Sequence, residues 1–253
     1  MHNHSTPIKA VFFDLGHTLI YFNGDFDKIS TDSYGILADT LIKAGCHIDR
    51  QAFTDLFDKR MKNYYAQREI DFIERPIEKI IKDVMVEIGQ DHFAGSLYTE
   101  AMHEMYRATE RHWIIEEDTH STLRELLDEH YLLALISNAS NAWDVNNLID
   151  DHQLRPYFNP ILISAEEGIR KPDIRIFQQA AQKLGIEPAE AVMVGDLLDA
   201  DILGAHRAGM RAIWISRRAE PLPAAQPIDP QMQPDAEIGT LAELPNLLAQ
   251  WNR

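Results

Sequence analysis

Reactive side chains follow four separate apolar segments of this sequence. They are Asp14 in VFFDLGHTLI, Ser137 and Asn138 after YLLALI, Lys171 in GIRKPD and Asp196 in AVMVGD. Asp14 and Asp196 can share a hard divalent cation such as Mg²⁺, which takes one or two carboxylates and completes its shell with water and substrate oxygens. A carboxylate beside this cation and Lys171 stays ionised and can act as a nucleophile toward phosphorus.

Hydrogen-bond donors near the same segments complete this chemistry. Thr18, Ser137 and Asn138 can donate to phosphoryl oxygens, and Lys171 can neutralise the charge that develops on them. Each of these residues also has an ordinary structural explanation as a helix cap, a turn residue or a solvated side chain. Their occurrence after different apolar segments favours one shared site.

The apolar segments themselves lack polar alternation, which is typical of parallel strands buried on both faces. They lie at 10–15, 131–137, 160–164, 191–196 and 211–216. Helical patterns alternate with them, such as DIRIFQQAAQKLG, which ends at Gly185. We therefore predict an α/β fold with a doubly wound, Rossmann-like parallel sheet. In such sheets ligands bind beyond the carboxyl ends of the strands, where the residues above would meet.

Residues 21–113 interrupt this alternation with four amphipathic helical patterns and no convincing strand. A direct crossover helix needs only about a dozen residues. We therefore predict that residues 21–113 form an inserted all-helical domain, and that residues 1–20 and 114–253 form the core. A single mixed fold with long crossovers is the alternative.

The amino-acid composition of the chain limits the kinds of molecule that it can bind. The 253 residues carry a net charge of −16, which disfavours nucleic acid. Cys46 is the single cysteine, so no disulfide can form within the chain, and we see no signal peptide or membrane span. The sequence thus predicts a cytoplasmic protein, a monomer or homodimer, that acts on a small molecule and binds neither nucleic acid nor membrane.

Four motifs in order resemble those of the haloacid dehalogenase-like hydrolase superfamily. They are FDLGHTL at 13–19, ISNAS at 136–140, RKPD at 170–173 and VGDLLDADILGAHRAGM at 194–210. The inserted helical block resembles the helical C1-type cap of the phosphatase branch, and the resemblance covers nearly the whole chain. It implies a catalytic core with a cap that closes over the active site and selects the leaving group.

The resemblance implies a role for each matching residue. Asp14 would be the nucleophile that forms an aspartyl-phosphate, and Thr18 would orient its loop. Ser137, helped by Asn138, would bind the phosphoryl group, and Lys171 would stabilise both this group and Asp14.

It also implies a Mg²⁺ site. Asp14, the backbone carbonyl of Gly16 and Asp196 would be ligands, and Asp201 would hold a metal-bound water or Lys171.

Gly16 departs from the family pattern, because most phosphatases have DxDxT here and use the second Asp as general acid and base. Its absence could remove a factor of about 10²–10⁴ in rate. His17, assigned here to substrate binding, can titrate in the useful range, although an exposed loop histidine is the more common case. Solvent water or a cap residue is the other substitute.

Three functions stay open. The first is a Mg²⁺-dependent phosphohydrolase acting on a small phosphate ester, which we favour. The second is a metal-independent 2-haloacid dehalogenase, or a phosphonate hydrolase that needs a cap lysine. The third is a weak or inactive relative that binds a phosphometabolite or a protein. Candidates for the inner face of the cap, for each of which a core or solvent position is more common, are Tyr21, Asn23, Lys28, Tyr64, Tyr65 and Arg68.

Overall fold

The computed structural model describes residues 6–90, 95–218 and 229–253, and this part of the chain contains eight strands. In chain order they are β1 (Ala10–Phe13), β2 (Ile20–Phe22), β3 (Trp113–Ile115), β4 (Leu132–Ser137), β5 (Ile161–Ile163), β6 (Ala191–Gly195), β7 (Arg211–Ile215) and β8 (Ala236–Ile238). Six of them form one parallel sheet in the order β5-β4-β1-β6-β7-β8. All five strands predicted from apolar segments belong to this sheet.

Helices account for most of the remaining described chain. They are α1 (Phe26–Lys43), α2 (Arg50–Asp71), α3 (Ile77–Glu87), α4 (Gly95–Glu110), α5 (Thr119–Asp128), α6 (Ala142–Asp151), α7 (Ser164–Glu167), α8 (Ile174–Leu184), α9 (Leu203–Arg207) and α10 (Leu244–Trp251). A π-helical turn, Leu198–Ile202, precedes α9. None of the described helices is long and apolar enough to cross a membrane.

The parallel sheet is covered by helices on both faces. Apolar residues of α5, α6 and α10 pack on one face, and those of α8 and α9 pack on the other. Strand β1 alternates between these two clusters, with Val11 and Phe13 in one and Ala10 and Phe12 in the other. This arrangement explains why its sequence is apolar throughout, and it confirms the predicted doubly wound α/β core.

Helices α1 to α4 pack around a separate hydrophobic cluster. Its members include Leu37 and Leu41 of α1, Phe57 of α2, Val84 of α3 and Met102 of α4. Side chains of Asp25 and Asp49 cap α1 and α2 by accepting hydrogen bonds from backbone amides. The four amphipathic patterns of the sequence thus correspond to four helices with a core of their own, termed here the helical block.

An antiparallel ribbon of β2 and β3 joins the helical block to the sheet. The prediction of no strand within 21–113 is therefore wrong at both ends of that segment. The ribbon forms because the chain leaves and re-enters the core side by side, so that Ile20 pairs with Ile115 and Phe22 with Trp113. Three-residue strands are too short to show a period of two in sequence.

Candidate active site

The carboxyl ends of three adjacent strands bring the predicted site residues together. Asp14 follows β1, Ser137 ends β4 and Asp196 follows β6, and β1 lies between the other two in the sheet. The chain moves outward from β1 in both directions, so this edge is the switch point of the fold. A cavity of about 300 Å³ opens there, lined among others by Asp14, Gly16, His17, Ser137, Asn138, Lys171 and Asp196.

Lys171 joins the nucleophile candidate to a second carboxylate. Its side chain is buried, and Nζ lies 2.5 Å from Oδ1 of Asp14 and 2.7 Å from Oδ1 of Asp201. Burial alone lowers the pKa of an ammonium group, but the charges of Asp14 and Asp201 outweigh it and raise the pKa of Lys171. Lys171 therefore stays protonated and faces Asp14 as a fixed positive charge.

Asn138 holds the Lys171 loop in place. Its Nδ2 donates to the Lys171 carbonyl at 2.9 Å, and its Oδ1 accepts from the Lys171 amide at 2.9 Å. The loop after β4 and the loop after β5 are thereby joined through one side chain. Asn138 also lines the cavity, but its amide is committed to positioning Lys171.

Asp201 lies beneath the cavity, fully buried, because the π-helical turn directs it back toward β6. Its Oδ2 accepts a hydrogen bond from the Leu197 amide at 3.1 Å. A Cβ atom on Gly195 would lie 2.3 Å from the Asp201 carboxyl carbon, so residue 195 has to be glycine for this approach. Burial raises the pKa of Asp201 despite the opposing charge of Lys171.

Three carboxylates form a cluster that fits a divalent cation. Ligand oxygens of Asp14, Asp196 and Asp201 lie within 4.8 Å of one another. Burial and the charges of Asp14 and Asp201 raise the pKa of Asp196, which means that its ionised form lacks sufficient compensating charge. Lys171 balances one of the three negative charges, and a hard, oxygen-seeking cation would balance the remainder.

The loop after β1 bends sharply at His17, which adopts a left-handed backbone conformation with φ of 58°. The imidazole lies against the indole of Trp113, with ring centroids 5.7 Å apart. A Cβ on Gly16 would lie 3.4 Å from Cη2 of the same indole. A side chain at position 16 would therefore make van der Waals contact with Trp113.

Thr18 is the one predicted site residue that lies behind the loop. It is fully buried and does not line the described cavity, and its Oγ1 has no hydrogen-bond partner among the described residues. Thr18 is therefore placed to support the loop from within, and a direct hydrogen bond to a phosphoryl group remains a prediction.

A second cavity of about 180 Å³ separates the helical block from the loop after β4. Tyr65 and Arg68 of α2, two of the sequence candidates for the inner face of a cap, line it. Arg68 stacks on the Tyr65 ring at 4.4 Å. The four other candidates do not line either cavity: Tyr21 lies under the Arg218 guanidinium, Tyr64 is buried against Glu74, and Asn23 and Lys28 are exposed.

Sequence reasoning missed three residues that line both cavities, Phe26, Trp113 and Asp144. Asp144 could have been identified from the sequence, because it lies in the first turn of a helix that Asn141 caps. This helix begins at the carboxyl edge of the sheet. No sequence pattern could have identified Phe26 and Trp113, because their positions depend on the ribbon of β2 and β3. Asp144 is unusual in chemistry as well: burial, and then the charge of Glu110, raise its pKa to about 8.

The chain is similar to known proteins in sequence and in structure. The model of the haloacid dehalogenase-like hydrolase family matches residues 35–215. A glyceraldehyde 3-phosphate phosphatase of Methanopyrus kandleri is 35% identical over 83% of this chain and 84% of its own. A phosphoserine phosphatase of Thermus thermophilus is 32% identical over 66% of this chain and 63% of its own length.

One similar solved structure is that of a dehalogenase. The 2-haloacid dehalogenase from Pseudomonas syringae pv. tomato superposes with a TM-score of 0.68 at 25% identity, over 96% of this chain and 99% of that one. The match of the family model over more than half of the chain establishes the family. The chain belongs to the haloacid dehalogenase-like hydrolases.

Proposed function

We propose that this hydrolase is a Mg²⁺-dependent phosphatase that cleaves a small phosphate ester through an aspartyl-phosphate on Asp14. The observation that carries the proposal is the bridge of Lys171 between Asp14 and Asp201, with Asp196 beside them at the edge of the sheet. The phosphatase names of the two curated relatives support the same choice.

Each side chain then has a defined task. The ionised Asp14 attacks phosphorus, Lys171 neutralises the phosphoryl oxygens, and the Ser137 hydroxyl at the end of β4 donates a hydrogen bond to them. Asn138 binds the Lys171 backbone and so keeps the Lys171 side chain beside Asp14. A second attack, by water on the aspartyl-phosphate, restores the Asp14 carboxylate and releases inorganic phosphate.

The cation would be held by the carboxylates of Asp14 and Asp196 and the Gly16 carbonyl, with Asp201 in support. When bound, Mg²⁺ supplies charge neutralisation at the phosphoryl oxygens. The proposal includes the division into a core of 1–20 and 114–253 and a cap of 21–113. The separate hydrophobic cluster of the helical block supports this division.

The substrate, in this proposal, is a small ester whose phosphoryl group enters the first cavity and whose alcohol part enters the second. Tyr34, Tyr65 and Tyr106 and the guanidinium of Arg68 line the second cavity, which favours a polar alcohol. We infer further that the chain works in the cytoplasm as a monomer or homodimer without nucleic acid. The lone cysteine and the charge of −16 support this inference.

The test is hydrolysis of p-nitrophenyl phosphate by the purified chain. We expect release of nitrophenolate with Mg²⁺, none above background with a chelator, and loss of activity in Asp14→Asn. Asp128→Asn, the same change at an exposed position of α5, serves as the control and keeps full activity. Equal activity with chelator would contradict the proposal, and halide release from a 2-haloacid without metal would favour the dehalogenase.

A further inference from the structure

The missing acid at position 16 leaves the phosphatase chemistry without an evident proton donor. Departure of an alcohol requires a proton on its oxygen, because an alkoxide is a poor leaving group in water-like surroundings. Gly16 lines the first cavity but offers no side chain that could donate a proton. The donor has to come from another element that faces both the phosphoryl group and the alcohol.

The walls of the two cavities identify where such a donor would lie. The first cavity contains Asp14 and Lys171, and the second contains the tyrosines and Arg68 of the helical block. A substrate that spans both places its bridging oxygen, between phosphorus and the alcohol carbon, at the boundary of the cavities. Residues that line both cavities form this boundary, and they are Phe26, Trp113, Asn138, Ala139 and Asp144.

Of these five, Asp144 alone can exchange a proton in the neutral range. Phe26, Trp113 and Ala139 have no group that does so, and the amide of Asn138 is bonded to the Lys171 backbone. His17 can titrate, but it lines only the first of the two cavities. We propose that Asp144 protonates the leaving oxygen of the substrate, in place of a carboxylate at position 16.

The surroundings of Asp144 favour a role in proton transfer over a purely structural role in helix α6. Its Oδ1 is buried and has no hydrogen-bond partner among the described residues. An acidic residue in the first turn of a helix is ordinarily solvated or bonded to backbone amides. Here the Asp144 amide is bonded to the Asn141 cap, and Asp144 lines both cavities.

The charge around Asp144 keeps the carboxyl protonated near neutral pH. Glu110 of α4 is held close to α6 by the Asn147 side chain, which donates to Glu110 Oε1 at 2.9 Å. Burial and this negative charge raise the Asp144 pKa to about 8. A carboxyl group with such a pKa is a competent acid at the pH of the cell.

The proposed proton transfer rests on the proposed function. A carboxylate oxygen of Asp14 forms a bond to phosphorus, and the bond from phosphorus to the alcohol oxygen breaks with its electron pair on that oxygen. The Asp144 proton moves to the same oxygen, which releases a neutral alcohol and leaves Asp144 ionised. When water then attacks the aspartyl-phosphate, Asp144 takes up a proton from that water and returns to its initial state.

Dependence on the leaving group tests the proposal. An alkyl phosphate needs the proton, whereas p-nitrophenyl phosphate releases a stable anion and needs it little. The value of kcat/KM depends only on the steps up to and including release of the alcohol. We therefore expect Asp144→Asn to lower kcat/KM for the alkyl ester at least about 100-fold more than for the aryl ester. Asparagine has the shape of the protonated carboxyl group, so the fold is retained, which circular dichroism checks.

Two further variants complete the experiment. Asp151→Asn, the same change at an exposed position of α6, should leave the ratio of the two kcat/KM values unchanged. Asp144→Glu retains an acid and should recover part of the alkyl-ester activity. Equal losses on both esters in Asp144→Asn would overturn the role of Asp144. They would leave the phosphatase proposal intact, because wild-type turnover of the aryl ester measures that activity by itself.

Discussion

The Glu74 carboxylate accepts a hydrogen bond from the Ser164 hydroxyl at 2.8 Å across the boundary between the helical block and the core. Glu74 follows α2 and its side chain is fully buried, where it also accepts from the Tyr64 hydroxyl. Ser164 in turn accepts from the Ala139 amide at 2.8 Å, in the loop after β4. Arg170, the neighbour of Lys171, places its Nε 3.5 Å from Glu74. One carboxylate thus connects the helical block to both loops of the candidate site.

Removal of this carboxylate should destabilise the protein. In Glu74→Ala the Arg170 guanidinium loses a buried partner and the Ser164 and Tyr64 hydroxyls lose an acceptor. We expect the free energy of unfolding to fall by about 3 kcal/mol, as measured by urea denaturation with linear extrapolation.

Glu69 provides the matched control, because it also pairs with Arg170, at 2.5 Å, but its side chain is 57% exposed. Glu69→Ala should therefore cost less than about 1 kcal/mol. Similar losses in both variants would show that Glu74 makes no special contribution.

Lys171 should stabilise the metal-free protein as well as the reaction. In Lys171→Met three clustered carboxylates remain without the ammonium that lies between Asp14 and Asp201. With chelator at pH 7 we expect a loss of about 3 kcal/mol in the free energy of unfolding. With Mg²⁺ present, we expect aryl phosphate turnover at least about 100-fold lower than in the wild type. Lys183→Met, at an exposed position of α8, should change stability by less than about 0.5 kcal/mol. Unchanged stability in Lys171→Met would contradict this interpretation.

Local patterns were sufficient to predict the sheet and the residues at its edge. Each apolar segment predicted a strand buried on both faces. Because the carboxyl ends of parallel strands meet at one edge of the sheet, the sequence also predicted that Asp14, Ser137 and Asp196 lie together there. The contact between Asp14 and Lys171 spans 157 residues, yet it follows from that rule because both lie after strands of the same sheet. Such long-range proximity is predictable when topology, rather than side-chain packing, determines it.

Features that depend on packing were not predictable. The ribbon of β2 and β3 consists of three-residue strands without a periodic signal. The two hydrogen bonds of Asn138 to Lys171 require both loops to be folded, so the sequence indicated only a phosphoryl donor. Asp144 resembles any acid in a first helical turn until the helical block covers it. Trp113 reaches Gly16 only because the ribbon brings it there.

His206 should make stability depend on pH. Its Nε2 lies 3.0 Å from Asp235 Oδ2, and Nδ1 lies 2.6 Å from the Gln231 carbonyl. The hydrogen bond to Asp235 raises the pKa of His206 in the folded state, against the effect of burial. The stabilisation is therefore complete below the unfolded pKa of about 6.5 and is lost as pH rises through the higher folded pKa.

The expected difference in unfolding free energy between wild type and His206→Gln is about 1 kcal/mol at pH 6 and smaller at pH 9. Urea denaturation at both pH values measures it. His47→Gln, at an exposed position, should show no such trend. A difference that grows with pH would mean that the folded state lowers the pKa of His206.

A carboxyl group at position 16 should add little while Asp144 supplies the proton. A Cβ on Gly16 would lie 3.4 Å from the Trp113 indole, an ordinary van der Waals contact, and Gly16 lines the first cavity, so that Gly16→Asp places a carboxyl group beside this cavity. We expect less than about a 3-fold change in kcat/KM for an alkyl phosphate in Gly16→Asp, and a gain of at least about 10-fold in Gly16→Asp/Asp144→Asn over Asp144→Asn alone. Comparison with Asp144→Asn removes the cost of the lost acid. A gain of about 10-fold or more in Gly16→Asp by itself would show that the wild-type chain lacks a working proton donor, because an acid added beside an existing one gains little.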